Sequence, residues 1–172
     1  MVTKESWAVY PSLKNQCVFI TGGATGVGAA LVAEFAKQGA KVAFVDIDDQ
    51  LSAELVASIQ AKGHEPVWWQ HCDVSDVPAL QAAIARAEQA LGPFSTLVNN
   101  VANDDRHTLE SVTPEYWDER MAVNLRPAFF AIQAVVPGMR GLGGGSIINL
   151  GSTGWQNKSS DYPCYALAKS SM

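Results

Sequence analysis

Two rhythms alternate along the chain. Short, largely apolar runs, CVFIT (17–21), KVAFVD (41–46), Pro66 to Gln70 and FSTLVNN (94–100), read as strands buried on both faces. Between them, apolar residues recur at helical spacing. Val27, Leu31 and Phe35 mark the face of a first helix that Gly39 closes. Asp48 caps a second, with Leu51, Leu55 and Ile59 inward and Gly63 as its stop; Ser75 caps a third, with Val77, Leu80, Ile84 and Leu91 inward and Gly92-Pro93 beyond. Strand starts near 17, 41, 66 and 94 are each one strand plus one helix apart, the spacing of right-handed crossovers in a parallel sheet. Thr113-Pro114 then opens a helical stretch running to about Arg140, with Pro127 a bend or break; GGGSIINLGS (143–152) supplies a fifth strand and YALAKSSM (165–172) a last helix. The pattern predicts one doubly wound α/β domain over residues 1–172, with helices on both faces of a parallel sheet.

Composition narrows the ligand. A chain of 172 residues that is 48% hydrophobic and 17% charged has too much apolar content for a disordered tail, and it holds no apolar run of the roughly 18 residues a membrane span needs. A net charge of −5 without a Lys/Arg cluster argues against nucleic acid or an anionic membrane as main partner, which leaves small molecules. Cys17, Cys72 and Cys164 are odd in number and widely spaced, so reduced thiols are expected; His64, His71 and His107 form no ligand spacing, so no bound metal is expected. MVTKESWAVYPSLKNQ lacks the basic-then-apolar pattern of a secretory leader, which makes the cytosol the expected compartment.

Thr21-Gly22-Gly23-Ala24-Thr25-Gly26-Val27-Gly28 has the form T-G-x-x-x-G-x-G between a strand and a helix. Glycine lets the backbone turn sharply and approach a pyrophosphate, and the helix N-terminus offers free N–H groups and a positive dipole end. Tight turns use glycine for shape alone too, so the next strand decides: it ends in Asp46, where a carboxylate accepts from both hydroxyls of an adenosine ribose and repels a 2′-phosphate. A Rossmann-like site for NAD, in preference to NADP, follows. Asp73 and Val74, past the third strand, stand where an adenine ring would lie, the acid accepting from its amino group and the valine flanking its face; a surface acid before a helix reads the same way. Tyr165 and Lys169, four apart, share one helix face. A free phenol, with a pKa of about 10, needs such a neighbouring ammonium to serve as a base near neutrality. Ser152, at the end of the fifth strand, is placed to bind a reacting hydroxyl or carbonyl.

Taken together, TGGATGVG (21–28), Asp46, Asp73-Val74, Asn99-Asn100, Asn124, Ser152 and YALAK (165–169) resemble the short-chain dehydrogenase/reductase family over essentially the whole chain. The resemblance implies that Gly22, Thr25, Gly26, Val27, Gly28, Asp46, Asp73, Val74 and Asn100 bind the cofactor. It makes Tyr165 the general base, Ser152 the group that orients the substrate oxygen, Lys169 the holder of the nicotinamide ribose, and Asn124 the anchor of a proton-relay water. Family likeness also implies a homodimer or homotetramer packed through the 113–140 helices and the Tyr165 helix.

NDDRH (103–107), YWDER (116–120), NLR (124–126) and GSTGW (151–155) look like the NAD-dependent D-xylose and related aldose 1-dehydrogenases within that family. That likeness makes an aldose the expected substrate, a lactone the product, and Asn103, Asp104 and Trp155 candidate sugar contacts, the indole packing on the C–H face of the ring. A plainer reading has Asp104, Asp105 and Arg106 in a solvated ion-pair loop and Trp155 in the core. Two departures stand out. Ala102 replaces the glycine of the family's N-N-A-G, tolerable if its φ is negative, and the sequence stops at Met172 where family members continue. A chain of only these residues is expected to expose apolar surface, to bind NAD weakly and to oxidise little sugar. The alternatives are a dehydrogenase or reductase for another hydroxyl or keto substrate, and a non-catalytic NAD-binding fragment.

Overall fold

The computed structural model of the chain describes residues 8–172; part of the opening segment in which no leader was read lies outside the described residues. Five parallel strands, β1 (Cys17–Thr21), β2 (Lys41–Asp46), β3 (Trp68–His71), β4 (Thr96–Asn99) and β5 (Ser146–Asn149), form one sheet in the order β3-β2-β1-β4-β5. All neighbours run parallel, with Val18 beside Val42 on one side and Thr96 on the other, and Asn99 beside Asn149. The doubly wound sheet is therefore observed. β1 is buried at every position, as a central strand covered on both faces must be.

Side-chain alternation divides the core into two layers. Val18, Ile20, Val42, Phe44 and Val98 meet α1 (Gly26–Lys37) and α2 (Asp49–Ala61) through Val32, Ala36 and Ile59. Phe19, Val45 and Leu97 face the other way, onto Leu80 and Ile84 of α3 (Val77–Leu91) and Ala131, Val135 and Met139 of α5 (Arg126–Gly141). α4 (Pro114–Asn124) precedes α5, and α6 (Pro163–Ser170) packs on α4. The expected break near Pro127 falls at Leu125, whose φ of −130° leaves the helical region.

Several boundaries and faces differ from the sequence pattern. β3, β4 and β5 begin two to three residues later than the apolar runs, and α6 starts at Pro163 rather than Tyr165. Val27 and Leu51 are exposed; α1 buries Gly28, Val32 and Ala36 with Leu31 and Phe35 packed partly buried against the same core, and α2 buries Ser52 and the expected Ile59 with Leu55 beside them. Asp76, not Ser75, caps α3, its carboxylate accepting from Ala79 N–H at 3.0 Å. Ser75 belongs to the preceding turn, where its N–H donates to Asp73 Oδ1 at 2.9 Å. Asp48 and Thr113 cap α2 and α4 as expected. Ala102 is not among the described residues with positive φ, so the alanine sits without strain. β5 is an exposed edge strand, with Ile147 and Ile148 each about two-fifths accessible. Among the described residues no helix is long and apolar enough to cross a membrane.

Candidate active site

Parallel strands align their carboxyl ends, and the turns leaving those ends open a crevice where the strand order reverses. Here the reversal lies between β1 and β4, and a cavity of about 600 Å³ occupies it. Gly22, Thr25, Gly26, Val27 and Gly28 form one wall; Asp46 and Ile47 follow β2, and Cys72, Asp73 and Val74 follow β3. Asn100, Val101 and Ala102 after β4, Leu150 and Gly151 after β5, and Val123 of α4 continue it to Tyr165 and Lys169 of α6. Val27 is exposed because it stands at this opening rather than over the core.

The glycine-rich turn is built to come close. A Cβ at Gly28 would lie 1.8 Å from the Gly22 carbonyl oxygen, so no side chain fits there. Asn100 braces the turn from the next strand, its Nδ2 donating to the carbonyls of Thr21 and Gly22 at 2.9 and 2.8 Å. At the head of α1 the Thr25 side chain accepts no N–H of the first turn, which leaves those donors for a ligand anion. Asp46 is more committed than its sequence position indicated. Oδ2 accepts from Ala24 N–H at 2.8 Å, and Oδ1 from Ile47 and Asp48 N–H at 2.8 and 3.1 Å. Three of a carboxylate's roughly four acceptor positions are filled, leaving about one for a ligand hydroxyl rather than two.

At the other end, Lys169 is buried and donates to the Leu150 and Val101 carbonyls at 3.0 and 3.4 Å. Its third proton faces only Met172 Sδ, a weak acceptor at 3.6 Å. Burial pushes the Lys169 ammonium below the ordinary lysine value. Nζ lies 6.0 Å from the centroid of the Tyr165 ring. Burial, helped by Asp73 and Asp76, raises the Cys72 thiol to about 11, so the sulfur in this cavity is a thiol and not a nucleophile near neutrality. Cys17, Cys72 and Cys164 are all free and buried.

Not every expected residue reaches the cavity. Ser152 Oγ accepts from Gly154 N–H at 3.0 Å within its own turn and does not line the wall. The buried Asn124 side chain grips Asn103 from both sides, accepting from its N–H at 2.8 Å and donating to its carbonyl at 3.0 Å, and donates again to Arg120 O. No side-chain proton of Asn124 remains for a water. Asp104 pairs with Arg106 at 3.5 Å in an exposed loop, and Arg106 also reaches Asp161 at 3.4 Å, which is the ion-pair arrangement of the plainer reading. Trp155 is 46% accessible, so it is not a core residue, and it does not line the cavity. Sequence reasoning passed over Ile47, Cys72, Val101, Val123, Leu150 and Gly151. All but Val123 sit just past strand ends, where the switch-point rule alone points.

A model of the short-chain dehydrogenase family matches residues 16–172. The chain belongs to that family. It is 48% identical over 164 residues to a D-xylose 1-dehydrogenase of Caulobacter vibrioides, covering 95% of this chain and 64% of the relative. It is 45% identical over 160 residues to a probable galactose dehydrogenase of Rhizobium meliloti, covering 93% and 62%. The chain thus spans a little under two thirds of the length of these family members. Among solved structures, a blue fluorescent protein from a metagenomic library, in complex with NADPH, superposes with a TM-score of 0.85 at 33% identity over 92% of this chain and 65% of its own.

Proposed function

We propose that this chain carries the NAD-binding and catalytic site of a sugar dehydrogenase that oxidises the anomeric hydroxyl of an aldose to a lactone. The observation that carries the reading is the convergence of the glycine-rich turn, Asp46, Tyr165 and Lys169 on one cavity. Its residues fit a dinucleotide. The uncapped first turn of α1 suits a pyrophosphate, and the Gly28 position admits the backbone approach that contact needs. Asp46 offers its remaining acceptor position to a ribose hydroxyl and opposes a 2′-phosphate, while Asp73 and Val74 flank the adenine end.

When bound, the nicotinamide supplies the hydride acceptor. The protein's part is to hold the sugar and take the proton: Tyr165 as phenolate accepts the hydroxyl proton at its own oxygen while the C–H bond gives up its hydride, leaving C=O. Lys169, anchored on the Leu150 and Val101 carbonyls beside the Tyr165 ring, turns its third proton to the ribose. Ser152 would orient the sugar oxygen once its turn opens to substrate, and Asn124 would hold a relay water through its main chain, its side chain being engaged. Asn103, Asp104 and Trp155, on loops at the Tyr165 end, are assigned to the sugar. The relatives' names support an aldose. Exposed Trp117, Phe129 and Leu167 on α4, α5 and α6 support a homo-oligomer through those helices.

The test is NADH formation at saturating NAD with D-xylose, D-galactose and L-arabinose. Tyr165→Phe should lower turnover by about 10²- to 10⁴-fold, the range of general acid–base catalysis, with NAD affinity within about twofold. A variant that keeps most of its rate overturns the assignment.

A further inference from the structure

α6 begins without a local cap. Tyr162, at its N-cap, contributes no side-chain hydrogen bond, and Pro163 has no N–H. The Cys164 N–H is satisfied from 57 residues away, by Nε2 of His107 at 3.1 Å. An amide N–H only donates, so Nε2 is the bare nitrogen. Nδ1 then carries the proton, and at 2.8 Å it meets the Asp105 carbonyl, which only accepts. The ring is thus fixed as the neutral Nδ1–H tautomer, with Tyr116 Oη 3.0 Å from Nδ1 and the Tyr116 ring edge-on to the imidazole.

The same loop holds the head of α6 at further points that do not depend on the imidazole: the His107 main-chain N–H donates to the Asp161 carbonyl at 2.9 Å, and Arg106 pairs with Asp161 and lies 4.2 Å from the centroid of the Tyr162 ring, which packs edge-on against Tyr165. On its other side the loop is fastened to α4, by Asn124 on Asn103 and by Arg120 on Asp105 at 3.2 Å.

We propose that His107 is a positioning residue for Tyr165, an external cap that holds the first turn of α6 while the imidazole is neutral and releases it when Nε2 takes up a proton. The proposal rests on the reading of Tyr165 as the base. Protonation turns the acceptor facing Cys164 N–H into a donor, so two N–H groups confront each other. The charged groups around the ring are Asp104, Asp105 and Arg106 on its own loop, Glu119 and Arg120 on α4, and Asp161 before α6; Tyr116, Tyr162, Cys164 and Tyr165 are its other titratable neighbours. None of them supplies the Cys164 N–H with a substitute acceptor.

The experiment compares wild type, His107→Gln and His107→Leu. Glutamine keeps an acceptor at the reach of Nε2 and does not titrate; leucine has none. NMR should show the Nδ1–H tautomer at pH 8. Between pH 8 and 5.5, wild type should lose about tenfold in Cys164 amide protection factor, His107→Gln should stay level, and His107→Leu should be low throughout. Turnover should follow the same order: kcat in His107→Leu down about tenfold at pH 8 with KM for NAD within twofold, most of it restored in His107→Gln, and a wild-type fall on the acid side that His107→Gln lacks. An Nε2–H tautomer, or wild-type protection in His107→Leu, overturns the cap. If the protection pattern holds while Tyr165→Phe remains active, the cap stands and the choice of base falls, so the two readings fail separately.

Discussion

Asp46 Oδ2 and the main-chain N–H of Ala24 are joined at 2.8 Å, so the acid that ends β2 also fixes the shape of the glycine-rich turn. Turn geometry and the proposed preference for NAD therefore meet in one side chain. Wild type should bind NAD at least tenfold more tightly than NADP. Asp46→Ala should weaken NAD by about tenfold or more, the loss of a charge-assisted hydrogen bond of roughly 1.5–3 kcal/mol, and bring NADP within about threefold of it. Calorimetric titration of both cofactors decides; equal or tighter NADP binding by wild type removes the basis for the preference.

Two glycines of the turn should respond differently to alanine. At Gly28 the new Cβ would meet the Gly22 carbonyl at 1.8 Å, so the turn must move, with NAD binding lost and stability down by about 2 kcal/mol or more. At Gly26 there is open space but a φ of +54°, so Gly26→Ala should cost only about 1–2 kcal/mol of backbone strain. Urea unfolding of the two variants separates steric from conformational demand, and comparable losses would mean that the close approach at Gly28 is not what the turn requires.

The buried Lys169 predicts a pH dependence of stability. Its folded pKa lies below the ordinary 10.5, so above the folded value the unfolded chain binds the extra proton. Stability from this group consequently rises as pH climbs from the folded pKa toward 10.5, and is least below it. The difference between wild type and Lys169→Met isolates this one side chain. The wild-type advantage in thermal midpoint should grow with pH across that window; a flat difference would show that burial leaves the ammonium unaffected.

Period and punctuation made the fold legible. Asp48 and Thr113 were read correctly as caps, whereas Ser75 and Asp76 compete at the head of α3 and only three-dimensional hydrogen bonding assigns the serine to the Asp73 turn. The helical faces were read correctly except at their first positions: Val27 and Leu51 are exposed in the first turns of their helices, while Leu31, Phe35, Leu55, Ile59, Leu80 and Ile84 pack on the core. The cavity wall was visible where motifs lie in one segment, from Gly22 to Gly28 and at Tyr165 and Lys169. It was hidden where the contact is distant. Nothing in the spacing of a lone His107 announces Cys164, and nothing in Asn124 announces that its carboxamide is spent on Asn103.

The strand order has a temporal side. β1 pairs with β2 soon after it is made, but its other neighbour, β4, follows roughly 75 residues later, and at 5–20 residues per second that interval is on the order of 4 to 15 s. During it one edge of CVFIT, the most deeply buried strand of the finished sheet, presents unpaired amides and carbonyls beside apolar side chains. On the ribosome, the centre of this fold is for a time its most adhesive edge.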